Sequence, residues 1–266
     1  MDHFINNLNT MPRTKTTKPT ARKKAERNLK LEELNDAGIE DTLEENWLTN
    51  FVIRKPFYYS KNHLAFKDGL CDNRTKIGFV DGPAGSAKSY LAVLAALELL
   101  KADQISNIVY IRSVIESASR SLGALPGEVD DKFLPYAMPL IEKVAEISGQ
   151  GVANQLMKDG ILSAIPVNFV RGLTFNNSFV IIDEAQNLTS AELVTILTRF
   201  GKDTRYAVCG DLKQADIGKA SGYADIFNKF AEREDAIEKG IFNITFGDED
   251  IVRSKILRYI VEVLEA

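Results

Sequence analysis

At 266 residues the chain is long enough for one sizeable α/β domain or two small ones, and its balance of 45% hydrophobic to 26% charged residues excludes a disordered or membrane class. No apolar run approaches a bilayer span, the N-terminal residues lack a secretory apolar segment, and Cys71 and Cys209, in no CxxC spacing, exclude a disulfide framework or zinc site. With His3 and His63 the only histidines, the chemistry falls to carboxylates, lysines and bound ions, and a cytoplasmic protein with no membrane partner is expected.

The net charge of −4 is unevenly spread, since residues 1–30 carry eight bases against two acids, leaving +6 on the tail and −10 on the rest. The stretch Thr10 to Thr20, rich in Thr, Lys and Pro, cannot bury enough surface to fold alone, and a charged helix is expected from Ala21 to about Ala37. Residues 1–50 are therefore read as a basic, largely disordered tail, either a solvated leader or a sequence-independent arm for a phosphate backbone.

From residue 51 onward the pattern predicts a helix Lys61 to Leu70, a strand Lys76 to Asp81, a helix Ser89 to Lys101 and a strand Asn107 to Arg112. After a long interval come a strand Phe179 to Asp183, a helix Thr189 to Phe200, strands Arg205 to Cys209 and Ile241 to Phe246, and a helix from about Asp248 to the C-terminus. Strand followed by helix, several times over, predicts an α/β domain over 51–266 with a mostly parallel sheet and helices on both faces. Residues 113–177, punctuated by Pro126, Gly127, Pro135, Pro139, Gly149, Gly151 and Pro166, hold two further predicted helices in an insertion of the kind that carries function or a partner surface.

Gly82-Pro83-Ala84-Gly85-Ser86-Ala87-Lys88-Ser89 follows a predicted strand and opens a helix, the context of a phosphate-binding (Walker A) loop. Backbone amides there face phosphate oxygens, Lys88 spans the outer phosphates and the Ser89 hydroxyl holds Mg²⁺. Ala87 stands where the usual pattern has glycine, and is expected to keep the ordinary negative φ of a helix start while still offering its amide. Tyr90 completes the candidate ATP-binding stretch.

In Phe179-Val180-Ile181-Ile182-Asp183-Glu184, four apolar residues run into two acids, which places both at the ligand-binding edge of a parallel sheet. Asp183 is assigned to Mg²⁺ and Glu184 to the attacking water, with Thr189 or Ser190 capping the next helix. The strand ending in Gly210-Asp211-Leu212-Lys213-Gln214 brings Gln214 to the same edge as candidate γ-phosphate sensor.

These residues resemble the PhoH-like family of ATPases, which is similar to the RecA-like motor core of superfamily 1 helicases. The resemblance covers roughly residues 56–266 and extends to Leu122 through Gly127, Pro135-Tyr136 with Pro139-Leu140, Val170-Arg171-Gly172, Asp183 through Asn187, Leu197-Thr198-Arg199, Ser221-Gly222 and Asp250 through Arg253. It implies a P-loop NTPase of RecA-like fold using ATP and Mg²⁺, with the sensor strand between the phosphate-loop and Asp183 strands. It also implies a homo-oligomer, a hexameric ring in which Arg253 is an arginine finger offered to a neighbour. His63 stands where the family has a glutamine that reads adenine, and Leu173 where a second arginine follows Arg171-Gly172.

Three functions follow as expectations. The first is an ATPase ring acting on single-stranded RNA or DNA, in the manner of an RNA helicase, with Arg112, Arg120, Arg171 and the tail as contacts. The acidic balance of residues 31–266 and the lack of an aromatic stacking platform weigh against that nucleic-acid role. The second is a slow ATP-dependent switch or scaffold without unwinding activity, favoured by Ala87; the third is a small-molecule kinase, disfavoured by Glu184 beside Asp183.

Overall fold

Six short segments rich in Val, Ile and Phe form the centre of the structure, a computed structural model that describes residues 47–54, 59–113, 129–252 and 263, with backbone only for 129–135. The sheet and its helices belong to one compact unit, Leu48–Ala266. The expected tail structure up to residue 46, Arg120, Leu122 through Gly127 and Arg253 lie outside the described residues; of the helix expected from about Asp248, residues Asp248–Asp250 instead form a single 3-10 turn that ends in extended Ile251.

The strands are β1 (Ile77–Asp81), β2 (Asn107–Arg112), β3 (Leu162–Pro166), β4 (Ser178–Asp183), β5 (Arg205–Gly210) and β6 (Ile241–Thr245). They form one sheet in the order β3-β2-β4-β5-β1-β6, every pair parallel. β1 and β4 are buried at every position, which is why both read as continuous apolar runs. β5 lies between them, the placement that the resemblance implied for the sensor strand. β3 was not expected. Its Ser163 and terminal Pro166 mask the strand signal, and a proline is tolerated there because β3 is an edge strand.

Helices cover both faces, as a βαβ architecture requires: α1 (Lys61–Cys71), α2 (Lys88–Lys101), α3 (Val129–Ser148), α4 (Gln150–Lys158), α5 (Ser190–Leu197) and α6 (Tyr223–Ala231). One side chain in two along each strand faces α5 and α6, where Phe79, Val109, Ile111, Val180, Ile182, Tyr206 and Val208 join Leu193, Ile196, Tyr223, Ile226 and Phe227 in a single core. The alternate positions face the opposite layer, in which α2 packs on β4 and β5, α3 on β2 and β3, and α1 on β1 and β6. Sandwiched between sheet, α1 and α3, α2 is buried continuously from Leu91 to Leu97, so it is apolar all round rather than amphipathic.

Both predicted helices of the insertion are present, α3 running through Pro135 and Pro139. The end of α5 comes at Leu197 rather than Phe200; its start is the expected Thr189 cap, a capping box in which Thr189 Oγ1 accepts from the Glu192 amide and the Glu192 carboxylate accepts from the Thr189 amide at 2.8 Å. Ser221-Gly222 is a packing junction. The Gly222 amide donates to Leu188 O, and a Cβ at 222 would lie 2.2 Å from the Ser190 nitrogen, so only glycine lets the two helix starts meet.

Strand parity also sets up the chemistry. Tyr110 and Arg112 on β2 and Asp183 on β4 share the α2 face, and Arg112 and Asp183 are register partners at the C-terminal edge.

Candidate nucleotide-binding and hydrolytic site

β1 ends at Asp81, and residues 82–87 carry the chain into α2. The loop is tight: a Cβ at Gly82 would sit 2.7 Å from Phe246 Cβ, Gly85 has φ +83°, and Ser86 Oγ donates to Pro83 O at 2.8 Å. The chain after β6 braces its outer side, with the Phe246 amide donating to Asp81 O and the Val252 amide to Gly85 O. The first backbone bond inside α2 runs from the Leu91 amide to Ala87 O, so the Lys88, Ser89 and Tyr90 amides stand at the positive end of the helix with no acceptor within it. That end is an anion site.

Ala87 departs from expectation. Its φ is +62°, left-handed rather than helical, because the loop must reverse before entering the helix axis. An L-residue there costs about 1–2 kcal/mol, while glycine loses about 0.5–1 kcal/mol in unfolded-chain entropy. Ala87→Gly is therefore expected to stabilise the domain by about 0.5–1 kcal/mol, read as a higher midpoint in urea unfolding; a lower midpoint would contradict the assigned strain.

Lys88 curls over the loop, donating to Gly82 O at 2.5 Å and Pro83 O at 2.9 Å, which keeps its ammonium at the phosphate end. Across the sheet edge, Asp183 is buried and fully engaged. Its Oδ1 accepts from Ser89 Oγ at 2.5 Å and from the Glu184 amide at 3.2 Å, and its Oδ2 accepts from the Tyr110 hydroxyl at 2.5 Å. Burial, with the Asp183 charge beside it, pushes the Tyr110 phenol far up, so it remains a donor.

Glu184 follows in the left-handed region at φ +53°. Its Oε2 accepts from Gln186 Nε2 at 2.6 Å, and Arg112 Nη2 lies 3.9 Å from its Oε1. Gln186, itself buried, uses its carbonyl to accept from the Asp211 amide at 3.1 Å. Asn187 and Asp216 exchange two hydrogen bonds of 2.9 Å, so the turn Ala185–Asn187 grips both ends of loop 211–216, which carries Gln214 to the cavity wall. From that loop the Leu212 amide donates to Asp81 at 2.8 Å; burial, reinforced by nearby Asp211, raises the pKa of the Asp81 carboxyl. Asp211 Oδ2 is buried with no hydrogen-bond partner among the described residues.

His63, in the first turn of α1, lies against the phosphate loop and on the cavity wall. It is 1% exposed; Nδ1 accepts from the Ser60 amide at 3.3 Å and Nε2, carrying the proton by inference from that partner, donates to Ser86 O at 3.1 Å. Burial lowers its pKa, which keeps the ring neutral, and Phe246 packs edge-on at 5.0 Å. With both nitrogens so bonded, the ring supports the phosphate loop from the cavity wall.

Loop residues 84, 85 and 87–90, His63, Arg112, Asp183, Glu184 and Gln214 all line one cavity of about 640 Å³, within the range for a small-molecule site of roughly 300–1,000 Å³. Tyr110 and Asp216 were not singled out from sequence, and Gln186 and Asn187 figured there only within the Asp183-to-Asn187 match, without a role; for Tyr110 the alternation with Arg112 along β2 was the available signal. The Ser89 and Asp183 oxygens suit Mg²⁺, a hard cation that prefers oxygen ligands. Among the described residues no group of three or more His, Cys, Asp or Glu converges to hold a metal, so the remaining ligands would come from phosphate and water.

An all-parallel sheet whose first strand opens into this loop, with the loop serine bonded to the strand-end aspartate, defines a P-loop NTPase of RecA-like α/β fold. The sequence profile of the PhoH-like protein family matches residues 62–265, and the chain belongs to that family. It is 36% identical over 194 residues to the PhoH-like protein of Bacillus subtilis (strain 168), covering 72% of this chain and 59% of that protein. It is 36% identical over 180 residues to Protein PhoH of Escherichia coli (strain K12), covering 66% and 49%. The chain thus spans about half the length of the curated relatives it matches. The Sulfolobus solfataricus SWI2/SNF2 ATPase core in complex with dsDNA superposes with a TM-score of 0.43 at 12% identity, over 73% of this chain and 46% of that one. No described helix is long and apolar enough to cross a membrane.

Proposed function

We propose that the chain hydrolyses ATP in this cavity and, as a ring of identical subunits, couples turnover to single-stranded nucleic acid, RNA foremost. The observation that carries the ATPase reading is the 2.5 Å Ser89–Asp183 bond joining residues 94 apart in sequence, with Glu184 held beside it by Gln186. The helix-end amides and Lys88 bind the outer phosphates. Mg²⁺ held by Ser89 and Asp183 would neutralise charge across those phosphates. Glu184 orients a water and takes its proton as the new O–P bond forms and the bond to the β,γ-bridging oxygen breaks, leaving ADP and phosphate. Gln214 contacts the γ-phosphate and its loss is passed to the turn at Gln186 and Asn187.

The ring follows the resemblance to PhoH-like ATPases. Exposed Arg171, on the sheet's ligand-binding edge after β3, and the basic tail support a nucleic-acid partner. Left-handed Ala87 favours the second reading, a slow ATP-dependent switch. The deciding experiment is phosphate release from MgATP with and without single-stranded RNA, beside native mass spectrometry. Stimulation by RNA together with a closed oligomer supports the motor; MgATP binding with negligible release in both conditions supports the switch.

A further inference from the structure

We propose that Arg112 is a catalytic residue acting in cis, contacting the γ-phosphoryl oxygens of the nucleotide bound by its own chain. The inference rests on the ATPase reading and deepens it. From sequence, Arg112 was an expected nucleic-acid contact, and the charge-stabilising role was assigned to Arg253 of a neighbour.

Position is the first argument. Arg112 ends β2 in register with Asp183 of β4, on the face where Tyr110 of the same strand reaches Asp183 and where Ser89 of α2 does so too. It lines the nucleotide cavity, and it is the one guanidinium among the described lining residues. The other lining cations are placed differently: Lys88 folds onto Gly82 and Pro83, and Lys143 Nζ lies 3.4 Å from Pro139 O of its own helix. A planar guanidinium presents parallel donors to two oxygens of one phosphoryl group, which an ammonium cannot do.

Exchangeability is the second. The Arg112–Glu184 distance of 3.9 Å is beyond hydrogen-bond reach, and the two side chains are 38% and 41% exposed. A solvated pair of that kind holds its partners weakly, and phosphoryl oxygens offer closer, charge-assisted acceptors. In this arrangement Gln186 holds Glu184 Oε2 while Arg112 sits over Oε1. Transfer of the guanidinium to the γ-phosphate therefore exposes Oε1 for the attacking water. In the step itself the water oxygen bonds to phosphorus, the β,γ-bridging bond breaks with its electron pair on ADP, and the water proton passes to Glu184. Arg112 moves no proton; it supplies charge to the equatorial oxygens.

The test compares full-length wild type, Arg112→Ala and Arg112→Lys in RNA-free phosphate release at saturating MgATP, in RNA stimulation, and in binding of MgADP with and without aluminium fluoride. Arg112→Ala is expected to lower RNA-free kcat about 100-fold, with MgADP affinity within about 2-fold of wild type and the aluminium fluoride tightening lost. Arg112→Lys should recover part of both, and the ratio of RNA stimulation should stay unchanged. Wild-type RNA-free turnover and tightening in Arg112→Ala overturn the inference; if only RNA stimulation is then lost, Arg112 is a nucleic-acid contact. No hydrolysis by the wild type overturns the ATPase reading and this inference with it.

Discussion

Glu184→Gln is expected to bind MgATP as tightly as wild type and to release phosphate about 10³-fold more slowly, since positioned general bases contribute about 10²–10⁴. The substitution keeps the side chain's length and its capacity to accept from Gln186 Nε2, so the clamp onto the Asp211 amide survives. Gln and Glu also bear the left-handed backbone at 184 at comparable cost, so folding should not change. What is lost is the negative charge that orients and deprotonates water. Single-turnover phosphate release, with binding measured separately by a fluorescent ATP analogue, checks this. Retained release would remove Glu184 from the water-activating role.

Asp183→Ala should damage both stability and activity. Its carboxylate accepts from the Tyr110 hydroxyl, which lies in the core, and from Ser89 Oγ; alanine leaves both donors without it. The stranded, buried Tyr110 hydroxyl costs about 1–3 kcal/mol, while the half-buried Ser89 hydroxyl can turn to water in the cavity, so a net loss of about 1–3 kcal/mol is expected, reduced by whatever repulsion from Glu184 is relieved. Urea unfolding measures it. Asp183→Asn, which keeps the volume and one carbonyl acceptor, should lose less stability while losing Mg²⁺-dependent hydrolysis as fully. Equal stability of the alanine variant and wild type would refute the hydrogen-bond account, and retained Mg²⁺-dependent turnover in the asparagine variant would refute the metal assignment.

Much of this site was legible because its signals are local. β1 and β4 are buried on both faces and so appear as apolar runs, each ending in an aspartate where polar chemistry begins, Asp81 and Asp183. The Thr189 cap was legible for the same reason, since its partner lies three residues away. What was not legible depends on register. Tyr110 meets Asp183 across 73 residues and Asn187 meets Asp216 across 29, pairings that follow from strand order rather than periodicity. α6 had a readable helical pattern in Tyr223, Ile226, Phe227 and Phe230, but it lies between strong motifs and was passed over. Ala87 was misjudged because a motif letter carries no φ, and the burial of His63 and the bonds of both its ring nitrogens were likewise not visible in the sequence.

The central claim is that residues 82–89 bind the phosphates of a nucleotide that the same site hydrolyses. Phosphate release from MgATP by the full chain, wild type against Lys88→Ala, tests it most directly, because the Lys88 ammonium is already held at Gly82 and Pro83 and touches no other part of the proposed machinery. The account predicts Mg²⁺-dependent release by the wild type and a loss of about 100-fold or more in the variant. Equal release by the two proteins would contradict it.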